Sequence, residues 1–216
     1  MLQKEIETLR NDYSSQGIDV EDLPEEPYPL FSLWLEQAVQ AGLPEPNGMI
    51  IATNDMNAEP SQRTVLMKSF DHSGLCFYTN YTSRKSIQLN RNPAISCLFP
   101  WLALHRQVSF QGEVRIVSAE QSREYFLSRP RASQIGAWAS RQSEPLASRD
   151  ELENRFQMYL ERFEGRDVPY PEFWGGFQVV PTRVEFWQGR NSRLHDRVVF
   201  TRSTQDADWQ IQFLNP

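Results

Sequence analysis

Lysine is scarce in this 216-residue chain: Lys4, Lys68 and Lys85 are the only ones, although lysine and arginine together number 22. Cationic contacts therefore fall mainly to arginine, whose planar guanidinium suits fixed-geometry recognition of anions. Histidine is confined to His72, His105 and His195, and cysteine to Cys76 and Cys97. The cysteines have neither CxxC spacing nor histidines around them, which argues against a metal site and thioredoxin-like chemistry. Their flanks, Leu75-Cys76-Phe77 and Ser96-Cys97-Leu98, are apolar, so both thiols are expected to be buried and inert in a reducing cytosol. Glycine motifs are missing too. Without GxGxxG after a strand, GxxxxGK[ST] or GxSxG, a Rossmann dinucleotide site, a P-loop and a hydrolase nucleophile elbow are not indicated. Any phosphate would be held by side chains. No apolar run approaches the roughly 20 residues of a membrane span, and MLQKEIETLR lacks the apolar core of a signal peptide. The expected location is cytoplasmic. A net charge of −6 and a pI near 5.2 argue against nucleic acid or anionic membrane as a partner.

Against this acidic background the pattern of elements is β-rich. Residues 1 to 13 can form a short helix, followed by the acidic, proline-bearing stretch from Asp19 to Pro27, and residues 1–28 are expected to be a mobile arm and linker. Residues 29–216 are expected to form one domain, a length within reach of a single β-rich core carrying helices. The spacing of Leu30, Leu33, Trp34 and Ala38 predicts a helix from Pro29 to Ala41, closed by Gly42. Short β-branched and aromatic runs predict strands over Gly48–Thr53, Gln62–Met67, Leu75–Thr79, Ala94–Phe99, Gln107–Val117, Phe173–Val180, Arg183–Trp187, Arg197–Thr201 and Trp209–Phe213. Helices are predicted over Ser83–Asn90, Ser118–Ser128 and Ser148–Phe163. Ser118 with Gln121 and Ser148 with Glu151 have capping-box spacing, and Pro130 and Gly165 read as stops. The fold class is α+β, a barrel or sandwich with peripheral helices.

Three groups of cations then stand out. If Ser83 caps a helix, Arg84 and Lys85 occupy its first turn, where the macrodipole disfavours each by about 0.3–1 kcal/mol. A phosphate at that helix terminus would reverse the sign of the effect, although two solvated cations are the plain alternative. Arg63 and Lys68 end the apolar run Thr64-Val65-Leu66-Met67. Tyr125 and Arg129 share a helix face, with Ser133 just beyond Pro130, and can hold a second anion or form a structural pair. The densest group is the stretch from Phe186 to Arg197. If its end is extended, Arg193, His195 and Arg197 point to one face, forming either a ligand-facing cationic row or a solvated basic edge strand. The pair Gly175-Gly176 is expected to let two strands approach closely.

Taken in order, several blocks resemble the pyridoxamine (pyridoxine) 5'-phosphate oxidase family almost end to end. They are Leu9-Arg10-Asn11-Asp12-Tyr13, Arg63 to Lys68, Phe77 to Asn80, Ser83-Arg84-Lys85, Phe99-Pro100-Trp101, Ser128 to Trp138, Phe173 to Phe177, Phe186 to Gly189 and Arg193 to Arg197. The resemblance implies an FMN-binding split β-barrel, a homodimer with FMN at the subunit interface, and no metal. It also implies that pyridoxine 5'-phosphate or pyridoxamine 5'-phosphate is oxidised by O₂ to pyridoxal 5'-phosphate with release of hydrogen peroxide, the redox chemistry belonging to the flavin.

By the same resemblance, Arg63, Arg84, Lys85, Gln142 and Ser143 hold FMN, chiefly at its phosphate. Tyr78, Thr79, Gln107, Trp187 and Arg197 complete the flavin site. Lys68, Tyr125, Arg129 and Ser133 bind the substrate phosphate, Lys68 belonging to the cofactor set as well. Arg193 and His195 are the catalytic pair that meets the pyridine ring and reacting carbon, while Arg10 and Tyr13 belong to a segment closing over the substrate. The Arg193-Leu194-His195 block, together with Lys68, Tyr125, Arg129 and Ser133, separates this reading from that of a flavin- or haem-binding protein, or a flavin reductase, built on a similar barrel.

Overall fold

The computed structural model describes Tyr13 and residues 17–19, 21–55 and 59–216. Arg10 and the helix expected over residues 1 to 13, apart from Tyr13, lie outside the described residues. The chain forms two compact units. The first gathers the residues up to Ile50 with Cys97–Gln111 and Pro181–Pro216, and the second comprises Ile51–Ser96 and Gly112–Val180.

Nine strands are present among the described residues: β1 (Gly48–Asn54), β2 (Pro60–Leu66), β3 (Ser69–Asp71), β4 (Gly74–Asn80), β5 (Ala94–Trp101), β6 (Arg106–Ile116), β7 (Trp174–Gln188), β8 (Asp196–Thr201) and β9 (Gln210–Phe213). They are hydrogen-bonded in the order β2-β1-β5-β6-β7-β4-β3, with β8 on β7 and β9 on β8. The period-2 alternation is plain in β1, which buries Met49, Ile51 and Thr53, and in β5, which buries Ile95, Cys97, Phe99 and Trp101. Among the described residues five helices accompany them: α1 (Pro27–Gln40), α2 (Arg84–Arg91), α3 (Ala119–Ser128), α4 (Arg131–Ala139) and α5 (Arg149–Arg162).

In the first unit α1 begins with proline in its first turn and ends before Gly42, whose φ of +69° suits glycine. Its buried face sets Phe31 5.0 Å from Phe99 and 4.9 Å from Phe110, and Trp34 5.3 Å from Phe186, between ring centroids. Burying each such ring contributes about 1.5–3 kcal/mol. The second unit is organised around Phe126, Ile135, Phe163, Val168 and Trp174. Both N-caps form: Ser118 Oγ accepts from the Gln121 N–H and Ser148 Oγ from the Glu151 N–H, each at 3.2 Å.

Five expectations need correction. The two strands foreseen over Phe173–Val180 and Arg183–Trp187 are one strand, β7. Its first half pairs with β4 through Trp174–Val179 and its second with β8 through Arg183–Gln188, so Pro181, which has no N–H to give, falls between these two ladders. Helix α4 was not foreseen, because Pro130 reads as a stop; it stands instead at the position preceding the first turn, where its missing N–H costs nothing. Cys76 is half-buried, whereas Cys97 is fully buried. Burial raises the pKa of both thiols, that of Cys97 to about 12. At Gly175 and Gly176 it is tyrosine side chains that come close: a Cβ on Gly175 would lie 2.2 Å from Tyr81 Oη, and one on Gly176 2.8 Å from Tyr78 Cε1.

The last correction concerns the cationic row. Asn191–Arg193 is a 3-10 turn in which Ser192 and Arg193 have φ of +57° and +65°, and β8 starts only at Asp196. Arg193 therefore does not share a strand face with Arg197.

Candidate functional site

The second unit contains a cavity of about 900 Å³. Strands β2 and β4, the start of α2, the end of α3, helix α4 and the loop that follows it supply its walls. Arg63, Lys68, Tyr78, Thr79, Arg84, Lys85, Tyr125, Arg129, Ser133, Gln142 and Ser143 all line it, so most of the sequence-predicted set converges here. Five of the lining side chains are cations and none is a carboxylate. In a chain of net charge −6 that concentration defines an anion site.

Arg63 is held from behind. Its Nη1 donates to Thr53 Oγ1 at 2.5 Å and its Nη2 to Ser61 Oγ at 2.6 Å, and both hydroxyls in turn donate to Gln88 Oε1, at 2.7 and 2.8 Å. The chain of bonds fixes the guanidinium through neutral groups and leaves its charge unpaired. Burial and then the nearby Arg84 lower its pKa.

Lys85 sits in the first turn of α2 and is buried, 8% exposed. Its ammonium donates to Thr79 Oγ1 at 3.0 Å, Ser83 Oγ at 3.2 Å and Gln142 Oε1 at 2.9 Å. All three acceptors are neutral, so hydrogen bonding is complete while charge is uncompensated. Burial first, and Arg63 second, bring its pKa from 10.5 to about 8. Ser83 does occupy the helix-cap position, but its hydroxyl serves Lys85 and Ser86 instead of capping a backbone N–H.

The other wall is aromatic. Tyr78 stacks on Tyr125 at 4.0 Å and on Trp174 at 5.5 Å, and the Arg129 guanidinium lies 4.7 Å from the Trp174 ring centroid. Arg129 Nη1 is buried without a hydrogen-bond partner among the described residues. Arg129 lines the cavity, and leaving one nitrogen of its guanidinium buried and unpaired is costly. Ser133 lies in the first turn of α4, its N–H bonded to the Pro130 carbonyl at 2.8 Å.

The remaining predicted residues belong to the first unit. Tyr13, Trp187 and His195 cluster: His195 lies 4.6 Å from Trp187 and 5.6 Å from Tyr13, and Tyr13 lies 4.5 Å from His105. The His195 Nδ1 accepts the Arg190 N–H at 3.0 Å. Arg193 is exposed on its turn. Arg197 faces Trp187 across the β7–β8 ladder, but its guanidinium is engaged by Glu185, at 2.6 and 2.8 Å, and by the Asn215 carbonyl at 3.1 Å. Gln107 lies on β6, half-buried.

Sequence reasoning missed Trp174, the Thr53–Ser61–Gln88 relay and Arg190. The relay joins hydroxyls and an amide from three separate segments, and Arg190 reaches His195 through its backbone N–H, so neither contact left a local signal. Trp174 was in view within Phe173–Phe177 but was read for its glycines.

The model of the family described as pyridoxamine 5'-phosphate oxidase matches residues 35–161, more than half of the chain. A second, described as the pyridoxine 5'-phosphate oxidase C-terminal dimerisation region, matches residues 174–216. The chain belongs to the pyridoxamine 5'-phosphate oxidase family. A pyridoxine/pyridoxamine 5'-phosphate oxidase of Rubrobacter xylanophilus is 48% identical over 213 residues, covering 99% of this chain and 97% of the relative. One of Paraburkholderia phytofirmans is 49% identical over 208 residues, covering 96% and 97%.

Among solved structures of this oxidase-like fold, PhzG of Burkholderia lata in complex with tetrahydrophenazine-1-carboxylic acid superposes with a TM-score of 0.88. It is 27% identical and covers 95% of this chain and 100% of that one. A pyridoxamine 5'-phosphate oxidase-related, FMN-binding protein of Nostoc punctiforme superposes at 0.71 with 15% identity, covering 90% and 100%, and shares the fold alone. The β-rich split-barrel class expected from the sequence is thus the class of these neighbours. Among the described residues no helix is long and apolar enough to cross a membrane, and no cluster of three or more His, Cys, Asp or Glu is placed to hold a metal ion.

Proposed function

We propose that this chain oxidises pyridoxine 5'-phosphate and pyridoxamine 5'-phosphate to pyridoxal 5'-phosphate, using FMN and O₂ and releasing hydrogen peroxide, with ammonia from the amine. The observation that carries this reading is the cavity with five cations and no carboxylate, in which Lys85 is buried without an anion and Arg129 Nη1 without a partner. The fit to FMN rests on the same donor set. A phosphomonoester is a dianion rich in acceptor oxygens, and a cavity of about 900 Å³ has the size of a cofactor site.

Arg63, Arg84 and Lys85, with Gln142 and Ser143, hold the cofactor phosphate; the side-chain relay behind Arg63 pre-orients its fork. Tyr78, Thr79, Gln107, Trp187 and Arg197 contact the flavin. Lys68, Tyr125, Arg129 and Ser133 take the substrate phosphate, Lys68 belonging to the cofactor set as well. Arg193 and His195 address the pyridine ring and the reacting carbon, and Tyr13, with Arg10, closes over them. When bound, FMN accepts the two electrons of each turnover and passes them to O₂. The protein binds, orients and supplies charge. The working form is a homodimer with FMN at the subunit interface, a reading supported by the match of residues 174–216 to a dimerisation region. The dimer is cytoplasmic.

The test is a flavin absorbance spectrum of the purified protein, with and without added FMN, coupled to peroxide release on adding pyridoxine 5'-phosphate. A yellow protein that releases peroxide is the expected result. A protein that gains no flavin absorbance, or that binds FMN yet yields no peroxide from either substrate, would overturn the reading.

A further inference from the structure

The Arg190 N–H donates to His195 Nδ1 at 3.0 Å. A backbone N–H can only donate, so Nδ1 presents its lone pair, and the neutral ring carries its single proton on Nε2. Protonation to imidazolium would set one N–H against another and break this bond. Burial and the neighbouring Arg193 lower the His195 pKa in the same direction, with Asp196 opposing them. That carboxylate is already engaged: its Oδ2 accepts from Arg190 Nη1 at 3.1 Å and from the Ile18 N–H at 2.9 Å.

Arg190 therefore holds the segment at two points, through its backbone on His195 and through its guanidinium on Asp196. Trp187 and Tyr13 both pack against the ring, at 4.6 and 5.6 Å, and against each other at 6.1 Å, with Tyr13 seated on His105. Gly189 makes room for this arrangement, since a Cβ there would lie 3.0 Å from both Tyr13 Cγ and His105 Cβ. Among the described residues, Nε2 has no hydrogen-bond partner.

We infer that His195 serves as a fixed hydrogen-bond donor through Nε2–H to an acceptor oxygen of the substrate, and that Arg190 is the positioning residue that locks this tautomer. In this state neither ring nitrogen has a lone pair free to take a proton, because that of Nδ1 is occupied and Nε2 already bears hydrogen. In this tautomer His195 is a hydrogen-bond donor to the substrate and not a general base for its oxidation. The inference rests on the oxidase reading for the identity of the acceptor, but the tautomer itself is a property of the protein.

Two measurements test it. Nitrogen-15 NMR of histidine-labelled holoprotein, assigned with His72→Gln and His105→Gln, should show His195 Nδ1 as an unprotonated and Nε2 as a protonated ring nitrogen. In the peroxide assay, His195→Gln places an amide N–H near the Nε2 position and His195→Asn near Nδ1. The glutamine variant should exceed both the asparagine and the alanine variants by about tenfold, the worth of one hydrogen bond of about 1.4 kcal/mol, with FMN content unchanged in all three. A proton on Nδ1, or an asparagine variant equal to the glutamine one, overturns the inference while leaving the oxidase reading intact. If neither B6 phosphate is turned over by the wild type, the oxidase reading fails and the NMR still decides the tautomer.

Discussion

The Lys85 ammonium donates to Gln142 Oε1 at 2.9 Å, tying the first turn of α2 to the loop after α4. Every partner of that ammonium is neutral, so its charge is uncompensated by its hydrogen bonds, and burial followed by Arg63 depresses its pKa to about 8. A phosphate dianion binds the charged form preferentially, so FMN affinity should be highest below pH 8 and should weaken as pH rises above it. Flavin fluorescence quenching from about pH 7 to 9.5 checks this. Lys85→Met should weaken FMN binding by roughly 10- to 100-fold at neutral pH, the range for a lost charge-assisted bond, and flatten the pH dependence. Equal affinity across the range in the wild type contradicts the assignment.

The same group makes apoprotein stability pH-dependent. Between about 8 and the ordinary value of 10.5 the unfolded chain binds the lysine proton and the folded chain does not. Stability therefore rises with pH across that window, and below it the full cost of burying the ammonium is felt. Urea titrations of FMN-free protein at either end of the window should show the wild type gaining stability towards the alkaline end relative to Lys85→Met. An unchanged difference between the two would mean that the ammonium is not desolvated.

Legibility in the sequence followed locality. Helices α3 and α5 were readable because Ser118 with Gln121 and Ser148 with Glu151 are three residues apart and cap as a unit. The convergence of Arg63, Lys85 and Arg129 on one cavity was readable only as a coincidence of oddly placed cations, given direction by the family resemblance. What was not readable is long-range or backbone-borne. Gln88 reaches Thr53 and Ser61, 35 and 27 residues away, and no period in the chain announces such a meeting. Arg193 was assigned to a strand face by alternation, whereas its left-handed backbone at φ +65° ends the alternation before it reaches β8. Proline misled at Pro130, since it stands before helix starts as readily as it marks stops.

Arg129 offers a test of the substrate phosphate site. Its Nη1 lacks a partner, while its planar group covers Trp174. Arg129→Met keeps an apolar stem against the ring and removes the donors. The KM for pyridoxine 5'-phosphate should rise by about 10- to 100-fold, with FMN affinity changed far less. A KM within about twofold of wild type would free Arg129 from that role.

Gly176 and Gly136 should respond oppositely to alanine. A Cβ on Gly176 meets Tyr78 Cε1 at 2.8 Å and Val117 Cγ2 at 2.9 Å, and Tyr78 packs against both Tyr125 and Trp174. Gly176→Ala should cost about 1–3 kcal/mol, lowering Tm by several degrees, and displace a ring of the cavity wall. Gly136 lies within α4 with nothing inside 4 Å of an added Cβ. Gly136→Ala should stabilise by about 0.5–1 kcal/mol through helix propensity. Thermal melts of both variants decide the pair, and a Tm for Gly176→Ala at or above wild type would show that the tyrosine yields.

Among the described residues strand β9 pairs only with β8, and all four of its residues are exposed. Ile211 and Phe213, 37% and 60% exposed, alternate onto one face of this edge strand, within the stretch matched to a dimerisation region. Apolar side chains in that position are the natural contact between two copies of the chain, and a carboxylate among them would be buried unpaired on association. Phe213→Asp should therefore weaken the dimer by about 100-fold or more, within the range of an interface anchor. Sedimentation should show the wild type at about twice 25.2 kDa and the variant shifting to the monomer on dilution. Because the proposed FMN site lies at the interface, the variant should also lose flavin as it dissociates. A variant that stays dimeric would move the interface to another face of the chain, and one that becomes monomeric with full flavin content would place the cofactor within a single subunit.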